Sequence, residues 1–190
     1  MIDPAEFFLN RRSVKTVDMV PGAPSPADRD TILAAGLRVP DHGKLAPFKF
    51  VVFAGEARLK FGQEVLAPRF AALNPEAAPT SVALEGQRLT QAGLVIAVLS
   101  TPRAARIPVW EQHLAAGAAA MNLLLCAQAL GYGAQWLTQW YSFDMAVLAA
   151  LGGDPAAGDQ VAGFIYIGGK QTNPEDRDRP DPKAHIKFWP

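Results

Sequence analysis

The chain has 190 residues, 49% of them hydrophobic and 19% charged, a composition that excludes a disordered or fibrous protein and fits one compact domain. Its 18 lysines and arginines balance 18 acidic residues, which argues against nucleic acid or an anionic membrane as a partner. A single cysteine excludes an intramolecular disulfide and a cysteine-based zinc site, so we expect no metal and a reducing cytoplasm.

Helices and strands alternate along the chain. N-capping residues followed by proline predict helices that begin at Asp3 and Ser25, and continuous apolar runs predict buried strands at 93–100 and 161–167. The predicted elements are, in chain order, a helix at 3–10, a helix from 25 to before Pro40, a loop at 41–47, a strand at 48–53, helices at 56–72 and 80–91, a strand at 93–100, a helix from 108 to a glycine turn at 131–133, a strand at 135–138, a helix at 142–151 capped by Ser142, and a strand at 161–167.

The helix predicted from Pro108 contains no Asp, Glu, Lys or Arg after Glu111. Its most apolar part, 114–130, is shorter than the roughly 20 residues of a membrane-spanning helix, and it contains Asn122 and Gln128. We therefore expect a buried core helix. Its many alanines give it a thin profile that favours close packing against another helix, which could belong to a second subunit. The first twenty residues lack the apolar run of a signal peptide.

The first candidate binding segment follows the first helix and contains Arg11, Arg12, Ser13 and Lys15. Three cations and a hydroxyl in this arrangement can bind a phosphate through charge-assisted hydrogen bonds. A solvated basic turn is the alternative.

The second candidate segment is a proline-bracketed loop that displays Arg38, His42 and Lys44 directly before a predicted strand. Loops held by a rigid scaffold often carry binding residues. The alternative is structural, with Asp41 capping the loop and His42 on the surface.

The third candidate segment begins at the glycine turn 131–133 and continues through Trp136, Leu137 and Thr138. Such a segment can lie against a planar ring while its backbone hydrogen-bonds the edge of that ring. Packing of Trp136 in the core explains the same residues equally well. The common hydrolase and metalloenzyme motifs GxSxG and HExxH are absent from the sequence.

Together and in this order, these segments resemble the nitroreductase family of flavin enzymes, in particular its short bacterial members. The motifs that carry the resemblance are RRSVK at 11–15, the proline loop at 40–48, PVWE at 108–111, GYGAQW at 131–136 and GFIYIG at 163–168.

The resemblance implies an α+β fold, with a central mixed sheet flanked by helices, in a single domain over 1–190 with a C-terminal arm at 169–190. It implies an intertwined homodimer with one FMN in each of two interfacial sites. It also assigns roles by position: Arg11, Arg12 and Ser13 contact the FMN phosphate and nearby polar groups, Lys15 approaches the flavin N1–C2=O edge, Arg38 and His42 reach the FMN of the other subunit, and Trp136, Leu137 and Thr138 line the isoalloxazine.

The implied function is an FMN-dependent oxidoreductase that transfers hydride from NADH or NADPH through the flavin to an electron-poor acceptor such as a nitroaromatic or quinone. Its chemistry is carried by FMN, with no catalytic side chain. A non-catalytic flavin-binding or flavin-storage protein is the alternative, and an interaction domain without flavin is the third hypothesis.

Several positions depart from the family pattern. Ala46 and Phe48 replace a common Gln and Trp, and Lys44 replaces a common Asn, so the acceptor stays open. The sequence does not decide whether a basic residue of the C-terminal arm contacts the phosphate. It predicts inert, structural or surface roles for the single cysteine and the two other histidines. The candidates in the arm are Lys170, Arg177 and Arg179; the side chains expected to be structural, inert or on the surface are Cys126, His113 and His185.

Overall fold

The computed structural model describes residues 3–189. Its helices and strands are, in chain order, α1 (Pro4–Asn10), α2 (Pro26–Gly36), β1 (Phe48–Ala54), α3 (Ala57–Phe61), a π-helical turn (Gly62–Leu66), α4 (Ala67–Leu73), α5 (Pro79–Gly86), β2 (Leu94–Ser100), α6 (Val109–Ala129), β3 (Gly133–Leu137), α7 (Met145–Ala150), β4 (Gln160–Gly168) and α8 (Pro182–His185). Single 3₁₀ turns occur at Thr16–Asp18, His42–Lys44, Arg88–Gln91, Trp140–Ser142 and Pro155–Ala157.

The predicted caps at Asp3 and Ser25 are confirmed, because each side chain accepts a hydrogen bond from a first-turn amide. Several boundaries predicted from the sequence are wrong. The helix predicted to continue to Pro40 ends at Gly36, and the strand predicted at 135–138 spans Gly133–Leu137. The helix predicted at 142–151 begins after Asp144, whose carboxylate accepts from two backbone amides, while Ser142 lies in the preceding 3₁₀ turn. The helix predicted to reach Gln91 ends at Gly86, and a 3₁₀ turn follows.

The four strands form one sheet in the order β1-β2-β4-β3, and every pairing is antiparallel. The α+β class is confirmed, but the prediction of a mixed sheet is wrong for the strands within residues 3–189. The single helix α6 links β2 to β3, so these two strands run in the same direction. Because β4 inserts between them, each strand meets only an antiparallel neighbour.

Helices cover both faces of the sheet. The long helix α6 packs with α2 on one face, where Ile32, Leu123 and Ile165 are fully buried. On the other face α3 to α5 and α7 enclose Leu66 and Phe164. This double cover explains why β2 is buried at every position. The predicted core helix is confirmed, and among residues 3–189 no helix is long and apolar enough to cross a membrane.

A β-bulge in β4 makes room for Trp136. The β2–β4 register shifts opposite Ala162, and the Trp136 indole N–H donates to the Ala162 carbonyl at 3.1 Å. The neighbouring Gly163 has φ +154°, and a Cβ at this position would overlap the indole ring. Glycine is therefore required here both by the backbone conformation and by the ring.

We expect Gly163→Ala to lower the free energy of unfolding by about 3 kcal/mol, because overpacking adds to backbone strain. The matched control is Gly152→Ala, at φ +80° with no described atom within 4 Å of the added Cβ, where strain alone should cost about 1–2 kcal/mol. Urea unfolding of both variants measures the difference. Equal losses would show that Trp136 does not constrain Gly163.

Candidate functional site

The segment that contains Arg11 to Lys15 lies along β3. The Val14 amide donates to the Ala134 carbonyl at 3.1 Å, and the Thr16 amide donates to Gln135 Oε1 at 2.9 Å. Val14 is buried and Lys15 is exposed, as alternation along an extended segment requires. The structure thereby brings the first and third candidate segments side by side.

Gln128, near the end of α6, holds the start of this segment. Its Oε1 accepts from Arg11 Nε at 3.1 Å, and its Nε2 donates to the Arg12 carbonyl at 2.8 Å. Ser13 Oγ accepts from Arg11 Nη2 at 3.3 Å. In the sequence, Gln128 is recognisable only as a polar residue in an apolar helix. The signal of its role was that a buried amide must find hydrogen-bond partners.

Four guanidinium groups gather at this end of α6: Arg11, Arg12, Arg177 and Arg179, which we call the arginine cluster. Burial, followed by the charges of Arg179, Arg12 and Arg177, lowers the pKa of Arg11. Within residues 3–189 the cluster pairs with a single carboxylate, that of Asp176, which lies 2.5 Å from Arg179 Nη2 and 3.6 Å from Arg12 Nη1. The cluster therefore has a surplus of positive charge.

Part of this positive charge, on Arg12, is buried. Its Nη1 is buried and has no hydrogen-bond partner within residues 3–189, because the 3.6 Å approach of Asp176 is too long for a hydrogen bond. A buried cationic donor without a partner is costly. A ligand with several anionic oxygens, such as a phosphate, would satisfy this donor and the charge surplus together.

The three basic residues of the C-terminal arm, any of which could contact a phosphate according to the sequence, have different contacts in the structure. Arg177 and Arg179 belong to the arginine cluster. Lys170 instead donates to Asn173 Oδ1 at 2.7 Å, although it lines a cavity of about 430 Å³ together with Arg11 and Arg12. All three basic residues of the arm thus lie near Arg11, and of these Arg179 is paired with Asp176.

The side chain of Trp136 packs in the core. It lies on the α6 face of the sheet with Ala134, whereas Leu137 points to the opposite face and Thr138 is exposed. A ligand on the outer edge of β3 would therefore meet the backbone and Thr138 before the indole ring.

A buried polar network fixes the turn that follows β3. Trp140 Nε1 donates to Glu85 Oε2 at 2.9 Å, and Arg88 pairs with the same carboxylate. Burial alone would raise the pKa of Glu85, but the hydrogen bonds from Arg88 and Trp140 lower it. Beside them the hydroxyls of Tyr141 and Tyr166 lie 2.7 Å apart, and burial raises the pKa of Tyr141 to about 12. Neutral tyrosines and a paired carboxylate hold this turn in place.

The second candidate segment lies along α6, with His42 at the opposite end of the helix and Arg38 beside Asn122. His42 Nδ1 is 2.8 Å from Glu111 Oε2, and Asn122 Nδ2 donates to the Arg38 carbonyl at 2.8 Å. Seventeen residues separate Glu111 from Gln128, which is about 25 Å along an α-helix. Within one chain the structure does not bring His42 to the arginine cluster.

The remaining candidates have structural or surface positions. His113 Nδ1 lies 2.8 Å from Ser100 Oγ, and His185 is exposed in α8. Cys126 is half-buried, and burial raises the pKa of its thiol, which favours the unreactive protonated form. Asp41 caps its loop as one interpretation predicted, since its carboxylate accepts from two backbone amides.

Comparisons with known proteins bear on the family and the fold of the chain. The model of the Nitroreductase family matches residues 9–169. A protein of Escherichia coli K12 named "Putative NAD(P)H nitroreductase YdjA" is 30% identical over 99% of this chain and 100% of its own length. A putative nitroreductase from Desulfovibrio desulfuricans, solved in complex with FMN, is 26% identical with a TM-score of 0.73 and full coverage of both chains. A nitroreductase-like protein of Bacillus cereus, 20% identical, covers 100% of this chain and 97% of its own with a TM-score of 0.81, which supports the fold.

The arginine cluster predicts that inorganic phosphate stabilises the protein. At ten times its Kd, phosphate should add about 1.4 kcal/mol and raise Tm by about 3–6 °C relative to chloride of equal ionic strength. Arg11→Ala should abolish this shift. The control Lys60→Ala should retain it, because Lys60 lies in α3 beside β1, the opposite edge strand, about 14 Å across the sheet from β3. An identical phosphate effect in Arg11→Ala would contradict the assignment.

Proposed function

The chain belongs to the nitroreductase family, and we propose that it is an FMN-dependent oxidoreductase that takes hydride from NADH or NADPH and reduces an electron-poor acceptor such as a nitroaromatic or quinone. The observation that carries this proposal is the arginine cluster with its unpartnered, buried Arg12 donor. A phosphate-bearing cofactor supplies the anion that this cluster lacks. The single, half-buried cysteine is consistent with a reducing cytoplasm as its compartment.

The residues present fit the phosphate of FMN. Arg11, Arg12, Arg177 and Arg179 supply charge and fork-shaped donors, and Ser13 supplies a hydroxyl beside Arg11. Gln128 positions Arg11 and the Arg12 backbone, so part of the ordering cost is met before any ligand binds.

Lys15 suits the flavin end of the cofactor. Its side chain is exposed and forms no ion pair within residues 3–189. A cation at the N1–C2=O edge would stabilise negative charge that develops there. FMN itself supplies the hydride-accepting chemistry when bound, and the chain supplies binding and orientation. We propose that Trp136, Leu137 and Thr138 line the isoalloxazine ring. Their contacts would come chiefly from the β3 backbone, which lies beside the 11–16 segment.

The length of α6 supports a homodimer with shared sites. His42 reaches the same FMN as Arg11 only when it comes from a second copy, since one chain holds these two groups at opposite ends of the helix. We assign Arg38, whose carbonyl accepts from Asn122, to the same FMN as His42 because the two residues belong to one loop segment. Antiparallel pairing of α6 with its copy about a two-fold axis would bring the two ends together.

The exposed side of α6 suits this pairing. None of its apolar residues at 114, 118, 121 and 125 is buried, and their spacing of three and four residues places them on one face of the helix. Ala118 lies near the midpoint between Glu111 and Gln128, which is where a two-fold axis would have to cross. Small side chains there let two helices approach closely.

The proposal predicts that the protein binds FMN and is yellow, and that NADH or NADPH bleaches the flavin absorbance under anaerobic conditions. Reoxidation by a nitroaromatic or a quinone would complete the cycle. Bound FMN that neither nucleotide can bleach would support flavin storage instead. Failure to bind added FMN would reject both.

A variant of Arg11 tests how the cofactor is held. Arg11→Ala should weaken FMN binding by about 10- to 100-fold, because a hydrogen bond to a charged group contributes about 1.5–3 kcal/mol. Binding of riboflavin, which has no phosphate, should change little. Equal losses for both flavins would place Arg11 in the fold or at the ring rather than at the phosphate.

A further inference from the structure

A second group of cations lies at the other end of α6, away from the arginine cluster. Lys44, Arg103 and Arg106 are all exposed, and we call them the basic rim. None of the three forms a salt bridge within the part of the chain that the structure describes.

Two loops carry the basic rim, and they are packed against each other. Ile107 lies against Gly43, where an added Cβ would be 3.2 Å from its Cγ1. These contact residues are the chain neighbours of Arg106 and Lys44. The buried amide of Gln112 holds the second loop to α6: its Oε1 accepts from the Arg103 amide at 2.8 Å, and its Nε2 donates to the Arg103 and Ile107 carbonyls. The three cations thus have fixed attachment points on one surface.

Lys44 is held in a strained backbone conformation. Lys44 and Ala46 have φ +55° and +47°, a conformation that costs about 1–2 kcal/mol for a side-chain-bearing residue. Asp41 maintains it, since its carboxylate accepts from the Leu45 amide at 3.1 Å and the Ala46 amide at 2.7 Å. Strain of this kind persists where surrounding contacts over-determine it, and it is concentrated at functional sites.

The two carboxylates near the basic rim already have other hydrogen-bond or ion-pair partners. Asp41 is bonded to its own loop, and Glu111 pairs with His42. Neither is paired with the basic rim. An anionic group that arrives from solution is therefore the partner that these three cations lack.

We propose that the basic rim recognises the 2′-phosphate of NADPH and makes NADPH the preferred hydride donor. This inference rests on the proposed function and on the shared site, in which the loop of His42 borders the FMN bound by the other copy. The extra phosphate adds a charge of about −1.5 to −2 relative to NADH. Exposed ion pairs each change binding by a few-fold, so three cations together give about tenfold selectivity.

The test compares kcat/KM for NADPH and NADH with the FMN-loaded protein. We expect a ratio of about ten or more at low salt, falling as ionic strength rises. The variant Lys44→Ala/Arg103→Ala/Arg106→Ala should bring the ratio close to one, chiefly by loss of activity with NADPH. Lys60→Ala is the control, because the length of β1, about 20 Å, separates Lys60 from the rim.

A binding measurement without turnover provides the second readout. Adenosine 2′,5′-bisphosphate should bind the unaltered protein about tenfold more tightly than 5′-AMP, and the triple variant should lose this difference. Equal use of NADH and NADPH with equal binding of the two nucleotides would overturn the inference while leaving the proposed function intact. If neither dinucleotide reduces the flavin, the proposed function fails, and the two adenosine nucleotides still test the rim.

Discussion

The length of α6 is the constraint on which the organisation of the site depends. Gln128 near its end holds the segment that carries Arg11, and Glu111 near its start holds His42. The helix that fills one face of the core therefore keeps the two halves of the proposed binding site about 25 Å apart within one chain. A second copy of the chain, related by a two-fold axis, would unite them. Core packing and cofactor binding are consequently linked through one element.

The electrostatic cost of the arginine cluster also indicates a binding site, at the Gln128 end of α6. Gathering four guanidinium groups around one carboxylate is unfavourable without a ligand, as the lowered pKa of Arg11 and the orphaned donor of Arg12 both show. The buried carboxylate of Glu85, by contrast, is paired with Arg88. An unsatisfied buried charge is therefore expected to serve a function. A bound phosphate would convert this cost into binding free energy.

Local features were predictable from the sequence, whereas distant pairings were not. The caps at Asp3 and Ser25 and the buried strand β2 depend on neighbouring residues, and these predictions are confirmed. The place of β4 between β2 and β3 depends on pairings over long stretches of chain, so the antiparallel sheet was missed.

The site shows the same division. The RRSVK segment was identifiable from its composition, but its attachment to Gln128 spans more than a hundred residues. Nor did the sequence indicate which basic residues of the C-terminal arm would lie near Arg11, since their positions depend on the path of the arm. The cap at Asp144 instead of Ser142 is a smaller case, because the sequence offers two capping residues two positions apart and the structure uses the carboxylate.

Subunit mixing tests the central claim, that each FMN site is built from two copies of the chain. Arg11→Ala and His42→Ala homodimers, each weak in FMN binding, are unfolded and refolded together. Random assortment makes half of the dimers mixed, and each mixed dimer has one site with both lesions and one with neither, so about one quarter of all sites should regain normal affinity. If both residues served a site within one chain, no site would contain the intact pair. Absence of recovery, with subunit exchange verified by differently tagged chains, would contradict the account.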